Sequence, residues 1–197
     1  MTFLDRVLHR PVPLENQLEV LAAFGIRPHQ DVNVDDLLYS FKREQYEKRP
    51  YELLLCILGS ESERDPTRFL SDAIWHLDTE CIEGPSSYVR VATRMAALAG
   101  SALPIADVRD DIDLDTGKAR LSFTLNGNNF RWDAQLKDDW IDPEILSNFV
   151  VLLDTQKAWK HFTYLDLKGQ DCIIGCSTED QRSELRKRTG LRFEWLR

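Results

Sequence analysis

The chain has no long apolar run. The longest, Leu53 to Leu58 and Phe149 to Leu153, fall far short of the roughly 20 residues that a membrane-spanning helix needs, so no crossing of a bilayer is expected. Residues 1–10 alternate apolar side chains with Asp5, Arg6, His9 and Arg10. They lack the unbroken apolar core and small-residue cleavage site of a secretory signal, and a cytoplasmic location is expected. Cysteine is sparse: Cys56, Cys81, Cys172 and Cys176 lie in apolar or strand-like stretches, the setting of reduced, buried thiols rather than of a disulfide framework. Histidine is sparse too. None of His9, His29, His76 and His161 stands three or four residues from a second histidine or a cysteine, which excludes the usual zinc spacings.

Catalytic signatures are missing as well. The chain has no Walker-type phosphate loop, no G-x-G-x-x-G, no G-x-S-x-G and no H-E-x-x-H, so the common nucleotide-binding and hydrolase classes fall away and no cofactor is expected. Basic residues are in deficit, 25 against 33 acidic ones, for a formal net charge of -8. Such a chain repels a nucleic-acid backbone, whereas a basic protein or a cationic ligand is electrostatically accessible.

What is present reads as one globular α+β domain over residues 1–197, with 43% hydrophobic and 29% charged residues arguing against disorder. The first half is helical. Leu14, Leu18 and Leu21 recur at helical spacing after Pro13 and stop before Gly25, and Asn33 caps a second helix with Val34, Leu37, Leu38 and Phe41 on its apolar stripe. Tyr51 to Leu58 is a continuous apolar run, expected as a buried strand although periodicity does not separate strand from helix there. Glu61 to Arg68 reads as a loop, and Ser87 to Ala99 as a helix with Tyr88, Val91, Ala92, Met95 and Leu98 on one face and Gly100 as its stop.

Asn126-Gly127 is the favoured pair for a two-residue type I′ turn and sets a hairpin register: Leu125 opposite Asn128, Phe123 opposite Phe130, Leu121 opposite Trp132, Ala119 opposite Ala134, Arg120 opposite Asp133. A tight turn at Thr116-Gly117 adds a third strand, with Leu114 opposite Ala119, Ile112 opposite Leu121 and Asp113 opposite Arg120. The expected result is a three-stranded antiparallel meander over about 107–136. Asp142-Pro143 then opens a helix by cap and N1 proline. A hairpin around Gly169-Gln170 is expected to pair Leu165 with Ile174 and Leu167 with Cys172, and the capping box Thr178 to Gln181 opens a helix ending at Gly190. A last strand through Leu191, Phe193 and Trp195 completes a C-terminal βαβ unit.

Three constellations could carry chemistry. His76, Asp78 and Glu80 alternate along Trp75 to Cys81 and point one way on an extended strand, a row that with Asp110 or Asp111 suits a metal-assisted hydrolase. Cys172 and Cys176 share a strand face two pleats apart, too far to share a metal without other ligands, so packing is their expected role. The cations Arg182, Arg186, Lys187, Arg188, Arg192 and Arg197 alternate with acids and read as a solvated helix face. More segregated are the carboxylates Asp110, Asp111 and Asp115 on the first meander strand and Asp138 and Asp139 after the third, with Trp140 among them. Brought together, they make a negative rim with an aromatic anchor, the kind of surface that steers and holds a basic partner.

A compact, acidic α+β chain with no catalytic motif and a one-sided acidic surface resembles the immunity proteins that bacteria use against polymorphic or contact-delivered toxins. The resemblance is one of type along the whole chain and rests on no short motif, Phe162 to Leu167 included. It implies a protein that neutralises a cognate basic toxin by direct contact, and no individual contact residue is carried over.

Overall fold

Short helices open the described chain, which is residues 11–66 and 68–197 of a computed structural model; the segment read for a secretory signal, residues 1–10, lies outside it. Helix α1, Leu14–Ala22, buries Leu14, Gln17 and Leu21 and ends before Gly25, whose φ of +81 turns the chain away. Helix α2, Val34–Leu37, is held by a reciprocal box in which Asn33 and Asp36 accept each other's backbone N–H. Helix α3 is Arg43–Lys48.

The run Tyr51 to Leu58, expected as a strand, is instead helix α4, Glu52–Leu58. An all-apolar run carries no periodicity, so its tertiary surroundings decide. Tyr51 takes a left-handed conformation (φ +70) and donates its N–H to Gln17 Oε1 at 2.7 Å, and the turns that follow bury Leu54, Leu55 and Leu58.

Strand β1 is Ile74–Asp78, helix α5 is Ser87–Ala99, and a single 3₁₀ turn at Gly100–Ala102 leads to the meander. Its strands are β2 (Ile105–Asp113), β3 (Lys118–Leu125) and β4 (Asn128–Gln135). Asn126 and Gly127 both have positive φ, as a type I′ turn requires, and all five expected β3–β4 pairs are present. The β2–β3 register differs by two residues: Ile112 faces Ala119 and Asp111, not Asp113, faces Arg120. Asp113 accepts the Thr116 N–H at 3.1 Å, which widens the expected two-residue turn to the loop 114–117. A shift of two keeps every side chain on its face.

Helix α6, Pro143–Thr155, starts at the Asp142 cap, and strands β5 (His161–Asp166) and β6 (Asp171–Ser177) form the C-terminal hairpin. Here the register differs by one, with Leu165 opposite Ile173 and Asp166 opposite Cys172. The left-handed residue is Lys168 (φ +63), whose N–H donates to Asp166 Oδ1 at 2.7 Å, so the connection is the longer loop 167–170 rather than a two-residue turn on Gly169-Gln170. Helix α7, Glu179–Thr189, opens on the Thr178–Gln181 box, and β7 is Glu194–Trp195. Arg182 and Arg186 both donate to Phe193 O, at 3.0 and 3.1 Å, so cations of α7 fasten the last strand as well as face solvent.

The second sheet has the order β1-β6-β5-β7 with every neighbour antiparallel. β6 and β7 therefore run parallel with β5 between them, closing the βαβ unit around one intervening strand. Two cores share this sheet. Trp75, Leu77, Phe162, Cys172 and Ile174 face α5, α6 and the inner side of the meander, where Trp132 meets Phe123 and Phe149 edge to face. Ile74, Leu165 and Ile173 on the reverse face meet α1 to α4, α7 and Phe193. The chain is thus α+β, and among the described residues no helix is long and apolar enough to cross a membrane.

Candidate functional site

The acidic rim forms at one end of the meander, with a membership that differs from the expected one. Loop 114–117 is tied to the end of β4 by the Leu136 N–H donating to Gly117 O at 2.8 Å, and Leu114 lines a common cleft with Asp138 and Asp139. A further link comes from residues 79–82. Ile141 N–H donates to Thr79 O at 2.8 Å and Ile82 N–H to Asp139 O at 2.9 Å, pairing Glu80 with Trp140. Asp138 sits at φ +55 in the turn. The result is an open cleft of about 390 Å³ lined by Glu83, Leu114, Leu136, Asp138 and Asp139, with Trp140 on the same short turn.

Trp140 is 41% exposed and Leu114 52%, whereas the neighbouring Ile141 (5%) is the residue that enters the core. Burial pushes the Cys81 thiol up to about 11; Arg90 moderates that rise, and Asp78, Glu83 and Asp139 reinforce it. The other thiols are also free, and burial holds Cys56 and Cys172 at about 12 and Cys176 at about 11.

Asp110, Asp111 and Asp115 are not among the residues that line the cleft. Asp110 receives the N–H groups of Ser86 and Tyr88 at 2.9 Å and of Val89 at 3.2 Å, so it caps α5 from a neighbouring strand. Ser86 cannot do so itself, because its φ is +76 and its side chain makes no cap bond. Asp111 lies on the outer face of the meander, opposite Arg120, which donates to Asp133 at 2.7 Å. Glu83 and Leu114 belong to the site although sequence reasoning passed over them. An apolar residue stranded between Asp113 and Asp115 in a loop was the available signal for Leu114.

The His76, Asp78 and Glu80 row separates into two groups. Gln170 Nε2 bridges Asp78 and Glu80, at 3.2 and 3.0 Å. His76 turns to other partners, Asp171 Oδ2 at 2.9 Å from Nε2 and Ser60 Oγ at 3.1 Å from Nδ1. Among the described residues no group of three His, Cys, Asp or Glu side chains is arranged to hold a metal ion. Ser60 and Asp171 lie 16 and 95 residues from His76, separations to which no local pattern points.

Compared with protein-family models, curated proteins and solved structures, the chain matches none.

Proposed function

We propose that the chain is a binding protein that takes a basic protein partner onto the acidic end of the meander, as an immunity protein covers its toxin. The observation that carries this reading is the exposed Leu114 set among Glu83, Asp138 and Asp139 around the 390 Å³ cleft, with the exposed Trp140 next along the turn from Asp139. Exposed tryptophan beside a cluster of carboxylates combines the two elements of an efficient interface: charge that accelerates encounter and an aromatic anchor that slows release. A net charge of -8 adds a long-range attraction of the same sign for a cationic partner.

The test is co-expression with the product of the neighbouring gene, followed by association kinetics at low and high salt. Recovery near one-to-one at low salt is expected, with loss on Trp140→Ala. A complex that forms equally well with Trp140→Ala and with Asp138→Lys/Asp139→Lys would sink this site.

A further inference from the structure

His76 is oriented from both sides by groups of complementary character. Helix α4 ends at Gly59, where a Cβ would lie 2.4 Å from His76 N and 2.8 Å from Trp75 C. Only glycine lets the helix end press onto β1 in this way, and the contact is fastened by His76 N–H donating to Gly59 O at 2.9 Å. The next residue, Ser60, is thereby carried to 3.1 Å between its Oγ and His76 Nδ1. On the far side of the ring, Asp171, opening β6, places Oδ2 2.9 Å from Nε2.

An ionised carboxylate only accepts, so Nε2 carries the ring proton and the lone pair of Nδ1 faces Ser60. The Ser60 hydroxyl has one hydrogen and two acceptors in reach, Nδ1 and Cys56 O at 2.8 Å. Rotation about its Cβ–Oγ bond moves the hydrogen between them. Ser60 also lines a cleft of about 260 Å³ whose apolar wall is Leu37, Tyr39, Ile57 and Leu70 and whose rim carries Asp36 paired with Arg64, Glu61 paired with Arg90, and Glu63.

We propose that Ser60, His76 and Asp171 form an acyl-transfer site for small neutral esters with an apolar acyl group. The arrangement satisfies the geometric roles of a nucleophile, a base and a group that orients the base. The two imidazole nitrogens exchange their usual assignments, which leaves the proton path intact. His76 Nδ1 takes the Ser60 proton as Oγ bonds to the ester carbonyl carbon and the C=O π pair moves to oxygen. Collapse breaks the bond to the alkoxide, which leaves with the proton from Nδ1. Water then attacks the acyl-Ser60 ester with Nδ1 again as base, releasing the acid and restoring the hydroxyl. Asp171 stays ionised throughout and balances the imidazolium that forms transiently, so it is a positioning residue. The apolar wall fits an acyl chain, and a rim of paired charges, Asp36 with Arg64 and Glu61 with Arg90, favours neither sign of substrate.

The experiment is labelling of the intact protein with a fluorophosphonate probe, read by peptide mass mapping, alongside turnover of para-nitrophenyl acetate. A single adduct on Ser60 is expected, absent from Ser60→Ala and at least tenfold slower in His76→Gln and Asp171→Asn. Asp171→Glu should recover part of the rate lost in Asp171→Asn, as a carboxylate that orients the ring would and a merely structural residue would not. Circular dichroism identifies which variants are folded, and Ser60→Ala removes only a hydroxyl should the others fail. No adduct on Ser60 in the wild type, or labelling unaltered in a folded His76→Gln, overturns the proposal.

Discussion

Gln17→Met should destabilise the protein by about 3 kcal/mol. Gln17 is fully buried in α1 and uses every side of its amide: Nε2 donates to Val12 O at 2.7 Å and Tyr46 O at 3.0 Å, and Oε1 accepts Tyr51 N–H at 2.7 Å. Methionine preserves the length and removes all three bonds. The Tyr46 carbonyl, in the last turn of α3, and the Tyr51 N–H, at the start of α4, then remain buried without this partner, at roughly 1–3 kcal/mol each. Some of that loss is offset by the apolar side chain, which leaves the value near 3. For a chain of this size the melting temperature should fall by about 6–12 °C. Urea unfolding should show a lower midpoint with an unchanged slope, because the buried surface is the same. A loss under about 1 kcal/mol would refute the claim that one amide joins three helices.

The remaining predictions concern the rim, the thiols and one carboxylate. Asp138→Lys and Asp139→Lys should slow association with a basic partner and flatten its salt dependence, whereas Trp140→Ala should raise the off-rate by an amount equivalent to about 2 kcal/mol; stopped-flow kinetics with unaltered on-rates for the reversals would count against the site. Asp110→Asn should behave differently, lowering stability by about 1–2 kcal/mol through the weakened cap of α5, with association left unchanged. The four thiols, held at about 11 to 12 by burial, should react slowly with a disulfide reagent at pH 8 until denaturant is added; four fast-reacting thiols in the native protein would contradict their placement. Hydrogen bonding from Arg68 lowers the Asp31 carboxyl from 3.8 to about 2. A depressed carboxylate contributes its stability fully above the unfolded value and loses it as pH falls, here between about pH 4 and 2. A carbon-13 titration should place its midpoint near 2 and Arg68→Gln should return it toward 3.8.

Much of the secondary structure was legible because the signals that set it are local. Asn33, Asp142 with Pro143, and Thr178 each satisfy helix N–H groups within a few residues, so their sequences announce the helix. Asn126-Gly127 fixed a register because both residues tolerate positive φ. The two other registers were misread where an aspartate accepts an N–H inside the loop, Asp113 from Thr116 and Asp166 from Lys168, lengthening a turn that glycine alone suggested. Tyr51 to Leu58 was misread because its helix depends on Gln17, 34 residues away. Among the rim carboxylates, Asp138 and Asp139 were readable from the meander topology. The capping task of Asp110 was not, since it serves a helix whose own cap position, Ser86, is left-handed.

The order of the central sheet governs how the chain can fold while it is being synthesised. β1 is made early, yet its neighbour β6 and the next strands, β5 and β7, all come from residues 161–195. Until residues 165–193 have been made, the first helices present Leu14, Leu21, Leu54 and Leu55 without Leu165, Ile173 and Phe193 to close over them. The nascent chain therefore carries an uncovered apolar helical layer for most of its elongation, a surface suited to transient capture by a chaperone. Completion is a late event, in which the reverse side of the sheet and the helices that cover it consolidate together once the last strands have left the ribosome.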